Sequence, residues 1–225
     1  MKKIQFDEYA TRYNQELHRN LSHFGKEVNY YSEYKAKIVE SKAVTSPRRI
    51  LEYGCGIGRN IKYLSDCFPQ AQIQGCDISK ASLEVARREN PQLEFFLLPN
   101  GVSDQLPFDL IFIANVFHHI TPRLRLKCMQ EVACLLKSSG EVFIFEHNPY
   151  NPITRHLVNT CPFDADAVLL RPREVIKLLE KSGFDIQDLS YGLVFPPFLK
   201  RLHRLEDILS KLPLGGQYYI QGIKR

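Results

Sequence analysis

The run Ile50-Leu51-Glu52-Tyr53-Gly54-Cys55-Gly56-Ile57-Gly58 constrains this chain more than any other stretch. Residues suited to a buried strand lead into three glycines at alternate positions, and a helical apolar pattern follows. Glycine lets the backbone turn tightly and lets a ligand approach it closely. A strand that enters a helix through such a turn is the opening unit of a doubly wound α/β sheet, and it aims backbone N–H groups at the ligand. The spacing here is G-x-G-x-G. The third glycine of the dinucleotide fingerprint G-x-G-x-x-G would fall on Arg59. An acid, Glu52, stands two residues before Gly54. It would repel a diphosphate but can accept a bond from an ammonium group. The loop therefore suits a cofactor with an amino-acid part.

The remainder of the chain alternates in the same way. Apolar patterning predicts strands at 48–53, 72–78, 93–98, 108–116 and 141–146, with helices at 57–68, 79–90 and 122–137 between them. The segment 7–44 holds no proline and one glycine, and reads as one or two helices. Beyond the fifth strand the periodicity loosens over 147–171, where a short helix carrying Arg155 and His156 is expected. A helix at 172–181, a strand at 184–195, a helix at 196–212 and a last strand at 216–223 follow, and the last two strands can pair antiparallel at an edge. The expected architecture is a doubly wound, mostly parallel α/β sheet, with a helical cap over 1–46, the main domain over 47–225, and a candidate substrate lid at 147–171.

Composition narrows the function classes. With 225 residues, 44% of them hydrophobic and 24% charged, the chain suits one globular domain. No run of 18 apolar residues suggests a membrane span, and acidic residues stand where a signal peptide would need its apolar stretch. The six cysteines form no C-x-x-C pair and are expected as buried, reduced thiols in the cytosol. A net charge of +5 without a dense basic block argues against a nucleic-acid partner.

Asp77 lies 19 residues past Gly58, at the end of the second predicted strand. An acid there can accept bonds from both hydroxyls of a ribose. Its neighbour Ile78 can lie against an adenine face. With these residues in view, the chain resembles the class I S-adenosylmethionine-dependent methyltransferases. Leu51–Gly58 looks like that family's first motif, and Gly75-Cys76-Asp77-Ile78-Ser79 like its second. Phe108–Ile120 looks like its fourth strand and following loop, and Leu135–Glu141 like the turn before its fifth strand. The resemblance covers 48–147 closely and the rest loosely. It implies a seven-stranded sheet with an antiparallel last strand, and S-adenosylmethionine as cofactor, held by Glu52, Gly54, Gly56, Gly58, Asp77, Ile78 and Asn115. Many relatives carry an Asp just after the third strand. Here Leu97-Leu98-Pro99-Asn100-Gly101 stands in that place, so Asn100 and Gly101 take the expected adenine contact.

Ligands of doubly wound sheets sit beyond the carboxyl ends of the strands. His118 and His119 follow the fourth strand; Glu146 and His147 follow the fifth. These four are the candidates for proton transfer to or from an acceptor. No metal is expected, because adjacent residues on a strand point opposite ways and make His118 and His119 a poor chelate. Tyr13 in the cap, and Asn148, Tyr150 and Arg155 in the lid, are candidate acceptor contacts. The expected reaction is methyl transfer to an O or N atom of a small molecule, with a sugar or lipid-linked intermediate among the candidates. The alternatives are a nucleic-acid or protein methyltransferase, and a non-catalytic cofactor-binding regulator. An apolar stripe with Lys200, Arg201, Arg204 and Lys211 opposite it gives 196–212 a further expectation, weak contact with an anionic membrane surface.

Overall fold

The structure is a computed structural model and describes residues 7, 28–99, 107–195, 202 and 205–225. Strands β1 (Arg49–Tyr53), β2 (Gln72–Asp77), β3 (Glu94–Leu97), β4 (Phe108–Ala114), β5 (Leu136–His147), β6 (Phe184–Gly192) and β7 (Gln217–Lys224) form one sheet in the order β3-β2-β1-β4-β5-β7-β6. The first five pair in parallel, and β7 runs antiparallel to both of its neighbours. This is the expected doubly wound sheet with an antiparallel last strand. β7 is inserted between β5 and β6, so β6 forms the edge.

Helices α1 (Val28–Lys42), α2 (Ile61–Cys67), α3 (Lys80–Glu89), α4 (Arg125–Leu135), α5 (Pro152–Thr160), α6 (Pro172–Lys181) and α7 (Glu206–Leu209) complete the described chain. The apolar run of β4, broken only by Asp109, is explained by cover on both faces. Ile111 and Ile113 pack with Val132 and Leu179 on one side, while Leu110 and Phe112 pack with Ile61 and Phe143 on the other. Ala36 and Val39 of α1 belong to that second cluster, so the described part of the N-terminal cap shares the core of the sheet. All six cysteines are free thiols, and among the described residues no helix is long and apolar enough to cross a membrane.

Three boundaries differ from the sequence reading, each for a local reason. The first crossover helix begins at Ile61 rather than 57. Gly54, Gly56 and Gly58 all adopt positive φ, and a right-handed helix cannot start until the last of them is passed. The helix after β4 ends at Leu135, and β5 begins directly at Leu136. Gly140 therefore lies inside β5 instead of ending a helix. A Cβ there would stand 2.9 Å from the Lys137 carbonyl and 3.2 Å from that of Asp109, at the point where the β4–β5 register shifts. Of the helix expected at 196–212, residues 196–201, 203 and 204 lie outside the described residues, and the described part is α-helical only over Glu206–Leu209. Glu206 turns inward. It accepts from the Tyr34 hydroxyl at 2.7 Å and from the Val194 and Phe195 N–H groups at 3.1 Å. Lys211, counted on the cationic side of the stripe, is tied to Asp188.

Candidate active site

The carboxyl ends of β1, β2, β4 and β5 open into one cavity of about 720 Å³. Its first half is built by the glycine turn. Gly54 has φ 71°, and a Cβ there would meet the Val116 side chain at 2.5 Å. Gly56 has φ 53° and faces open space, leaving bare backbone toward a ligand. Asp77 braces this turn: its Oδ2 accepts from the Gly56 N–H, and its Oδ1 from the Ser79 N–H, each at 2.8 Å. Each carboxylate oxygen keeps a second lone pair, the number two ribose hydroxyls require. Ile78 beside it is 60% exposed and lines the cavity, as an adenine face needs. Asn115 (φ 58°) lines it too, its Oδ1 accepting from Gln217 Nε2 at 3.0 Å.

Two buried charges mark the amino-acid end. Glu52 is 1% exposed; its Oε1 accepts from Asn60 Nδ2 at 2.6 Å, and its Oε2 has no hydrogen-bond partner. Lys35, which the sequence reading passed over, reaches in from α1 and makes no hydrogen bond or ion pair among the described residues. Burial pushes the Glu52 carboxyl up to about 8 and the Lys35 ammonium down to about 8. A buried acid with a spare oxygen and a buried ammonium with spare protons complement the ammonium and carboxylate of an amino acid. Lys35, Asp77 and Ile78 line the cavity, and Glu52 meets it only through Asn60, so S-adenosylmethionine fits along Lys35, Asn60, Asp77 and Ile78. Asn100 and Gly101 lie outside the described residues.

An unfolded glutamate ionises near 4.5, and Glu52 in the fold near 8. Its burial therefore removes stability as pH rises from about 4.5 to about 8. Glu52→Gln should flatten that decline in thermal melts of the ligand-free protein at pH 5 and pH 8, and should weaken cofactor binding several-fold at pH 8. Equal slopes in both proteins would show Glu52 to be ionised throughout.

The second half of the cavity is organised by Glu146 at the end of β5. Glu146 is fully buried and does not line the cavity. Its Oε1 accepts from the Val116 and Phe117 N–H groups at 3.1 and 2.7 Å, and its Oε2 pairs with His118 Nδ1 at 2.6 Å. The expectation that Glu146 transfers protons is thereby corrected: its oxygens are engaged in holding the turn after β4, and it is a positioning residue. Burial alone would lower the His118 pKa, but Glu146 and Asp164 raise it to about 9. His147 lines the cavity with its ring 5.1 Å from that of His118. Burial, aided by the positive field of His118, lowers its pKa to about 4 and keeps it neutral.

His118 and His119 are not on a strand. They occupy a 3₁₀ turn, Phe117–His119, with ring centroids 4.1 Å apart, so the premise that they point opposite ways fails. Both Nε2 atoms approach Asp164 Oδ1, at 3.6 and 3.4 Å, and His119 Nδ1 lies 3.3 Å from Asp166 Oδ1. Asp164 and Asp166 are the functional candidates that sequence reasoning left unassigned. The histidines hold the Asp164 carboxyl well below the usual carboxylate range.

Over 147–171 the structure brings other residues to the cavity than those expected. The short helix is present as α5, capped by Asn151, whose Oδ1 accepts from the Ile153 and Thr154 N–H groups at 2.9 and 3.1 Å. Asn148 is fully buried outside the cavity. It donates to the Pro213 and Gly215 carbonyls at 3.0 and 2.7 Å, stitching its own segment to the one before β7. Tyr150 and Arg155 are exposed and do not line the cavity. Ile153, Leu157, Val158 and Phe163 line it instead, making this wall apolar. Tyr13 lies outside the described residues.

Comparison with known proteins agrees with this geometry. Residues 51–142 match the family model described as a methyltransferase domain. The chain is 30% identical over 209 residues to demethylmenaquinone methyltransferase of Thermotoga maritima, covering 80% of this chain and 86% of that one. It is 40% identical over 78 residues to malonyl-[acyl-carrier protein] O-methyltransferase of Legionella pneumophila, covering 32% of this chain but 28% of that protein's length. Among solved structures, a SAM-dependent methyltransferase of Thermotoga maritima described as a possible histamine N-methyltransferase superposes with a TM-score of 0.69 at 16% identity, over 98% of this chain and 100% of that one.

Proposed function

The chain belongs to the class I S-adenosylmethionine-dependent methyltransferases, and from that premise we propose that it methylates an oxygen or nitrogen of a small acceptor with an apolar body, a lipid-linked intermediate ahead of a free sugar. One observation carries this reading: beyond the cofactor half, the cavity pairs a polar wall of His119, Asp164 and Asp166 with an apolar wall of Ile153, Leu157 and Phe163. When bound, the cofactor supplies a sulfonium-borne methyl group, open to in-line displacement by a lone pair. The apolar wall holds the acceptor's body and excludes water, so the nucleophile stays aligned. His119 donates its Nδ1–H toward Asp166; its Nε2, 3.4 Å from Asp164, turns to accept the hydrogen bond of the acceptor's O–H or N–H and takes that proton, giving an imidazolium between the two carboxylates.

The test is methyl transfer from isotopically labelled S-adenosylmethionine to a panel of phenols and quinols, lipid-linked sugars, free sugars and amines, with products identified by mass spectrometry. Product from an acceptor with an apolar body, and a lower KM for it than for its water-soluble head group, is the expected result. Transfer confined to RNA or protein would replace the reading, and cofactor binding without transfer to any acceptor class would make the chain a binding protein.

A further inference from the structure

An acceptor oxygen placed at the His119 wall, as proposed above, must lose a proton, and the wall holds more donor groups than one base needs. His118, His119 and Asp164 each offer one ligand atom within 4.8 Å of the others, and all three residues line the cavity. His118 Nε2 and His119 Nε2 stand 3.6 and 3.4 Å from Asp164 Oδ1. Those separations exceed the usual N–H···O length of about 2.7–3.2 Å. They match two ligands placed about 2.0–2.1 Å from a common tetrahedral ion, which are about 3.4 Å apart. His118 Nε2 is buried and has no hydrogen-bond partner.

The outer contacts have the same character. His118 Nδ1 faces Glu146 Oε2 at 2.6 Å, and His119 Nδ1 faces Asp166 Oδ1 at 3.3 Å. When a cation binds, each Nδ1 keeps its proton, donated toward its carboxylate, and each Nε2 gives up any proton it holds and turns a lone pair to the ion. That carboxylate–histidine arrangement is the one that orients and strengthens metal-bound imidazole. We propose that His118, His119 and Asp164 bind a divalent first-row transition cation at the acceptor end of the cavity. Two imidazoles and one carboxylate suit zinc(II), iron(II) or cobalt(II) better than magnesium or calcium, which prefer oxygen throughout. Three protein ligands leave a coordination position open to the cavity. A cation there takes over the task assigned above to His119: it draws charge from the acceptor oxygen, so the proton passes to solvent water at neutral pH.

The test uses the full chain, stripped with a chelator and titrated with cobalt(II) alone, read by calorimetry and by visible absorption. The expected result is one saturable site with intense d–d bands of low coordination number. Asp164→Asn keeps the side-chain shape and should weaken binding about tenfold or more. Unchanged S-adenosylmethionine affinity certifies that this variant is folded, and His119→Gln serves the same comparison if it is not. No saturable site, or equal cobalt(II) affinity in wild type and both variants, would overturn the proposal. If cobalt(II) fails to bind while His119→Ala still loses methyl transfer, the cation is refuted and the proposed function survives, with His119 acting directly. If cobalt(II) binds at the triad while no acceptor is methylated, the cation site stands and the proposed function falls.

Discussion

His119→Ala is expected to lower kcat by about 10²–10⁴, the usual range for a group that handles a proton in the transition state. The dissociation constant for S-adenosylmethionine should stay within about threefold, because truncation removes only groups used at the reacting centre. The structural ground is separation of tasks. Cofactor contacts are assigned to the glycine turn, Asp77, Asn60 backed by Glu52, and Lys35, whereas the His119 ring packs on His118 and faces Asp164 and Asp166. His119 keeps 14% of its side chain exposed in the cavity, so its loss leaves no buried carboxylate fully stranded. His118 differs. Its side chain is fully buried against the Glu146 carboxylate, and removing one partner of such a pair costs about 3–5 kcal/mol. His118→Ala should therefore lower thermal stability as well as activity. Single-turnover kinetics and equilibrium cofactor binding, measured on both variants beside melting curves, separate the two roles. A His119→Ala enzyme with kcat within about threefold of wild type would remove the acceptor from this wall.

What the sequence made legible was local. The glycine turn, Glu52 and Asp77 sit at strand ends a few residues from recognisable apolar runs, and their positions follow from the strand-to-helix crossover alone. The cover on both faces of β4 was legible in a run that is apolar but for Asp109, while β6 alternates as an edge strand does. The acceptor end was not local. Asp164 meets His118 and His119 across some 45 residues of chain, through a turn that begins where Asn115 takes φ 58° and ends β4. Periodicity carries no trace of that bend. Reading the strand onward made the two histidines diverge, whereas the turn stacks them. The lid failed in another way. Asn148 and Arg155 were singled out for polarity, but Asn148 spends its polar atoms on backbone groups, and Arg155 lies on the exposed face of an amphipathic helix whose other face lines the cavity. Lys35 was missed because a single lysine in a helix of low amphipathicity is indistinguishable from a solvated one until the helix is docked on the sheet.

Asp77→Ala is expected to weaken S-adenosylmethionine binding by about a hundredfold or more, a larger loss than ribose contacts alone would cause. Two charge-assisted hydrogen bonds to the ribose are worth about 1.5–3 kcal/mol each, and each 1.4 kcal/mol is about tenfold in affinity. The structure adds a second contribution. The same carboxylate accepts from the Gly56 and Ser79 N–H groups, so it holds the glycine turn to the start of α3. Without it the turn must be ordered at the expense of binding energy. Asp77→Asn separates these contributions. Its amide oxygen can still accept from one backbone N–H, while its amide nitrogen faces the other donor and the negative charge is gone. Calorimetry should then place Asp77→Asn between wild type and Asp77→Ala. Burial raises the Asp77 pKa, against the opposing pull of the Ser79 and Gly56 N–H groups, so burial works against its charged form. An Asp77→Asn variant that matches wild type in affinity would mean that Asp77 serves the turn alone and that the ribose is held elsewhere.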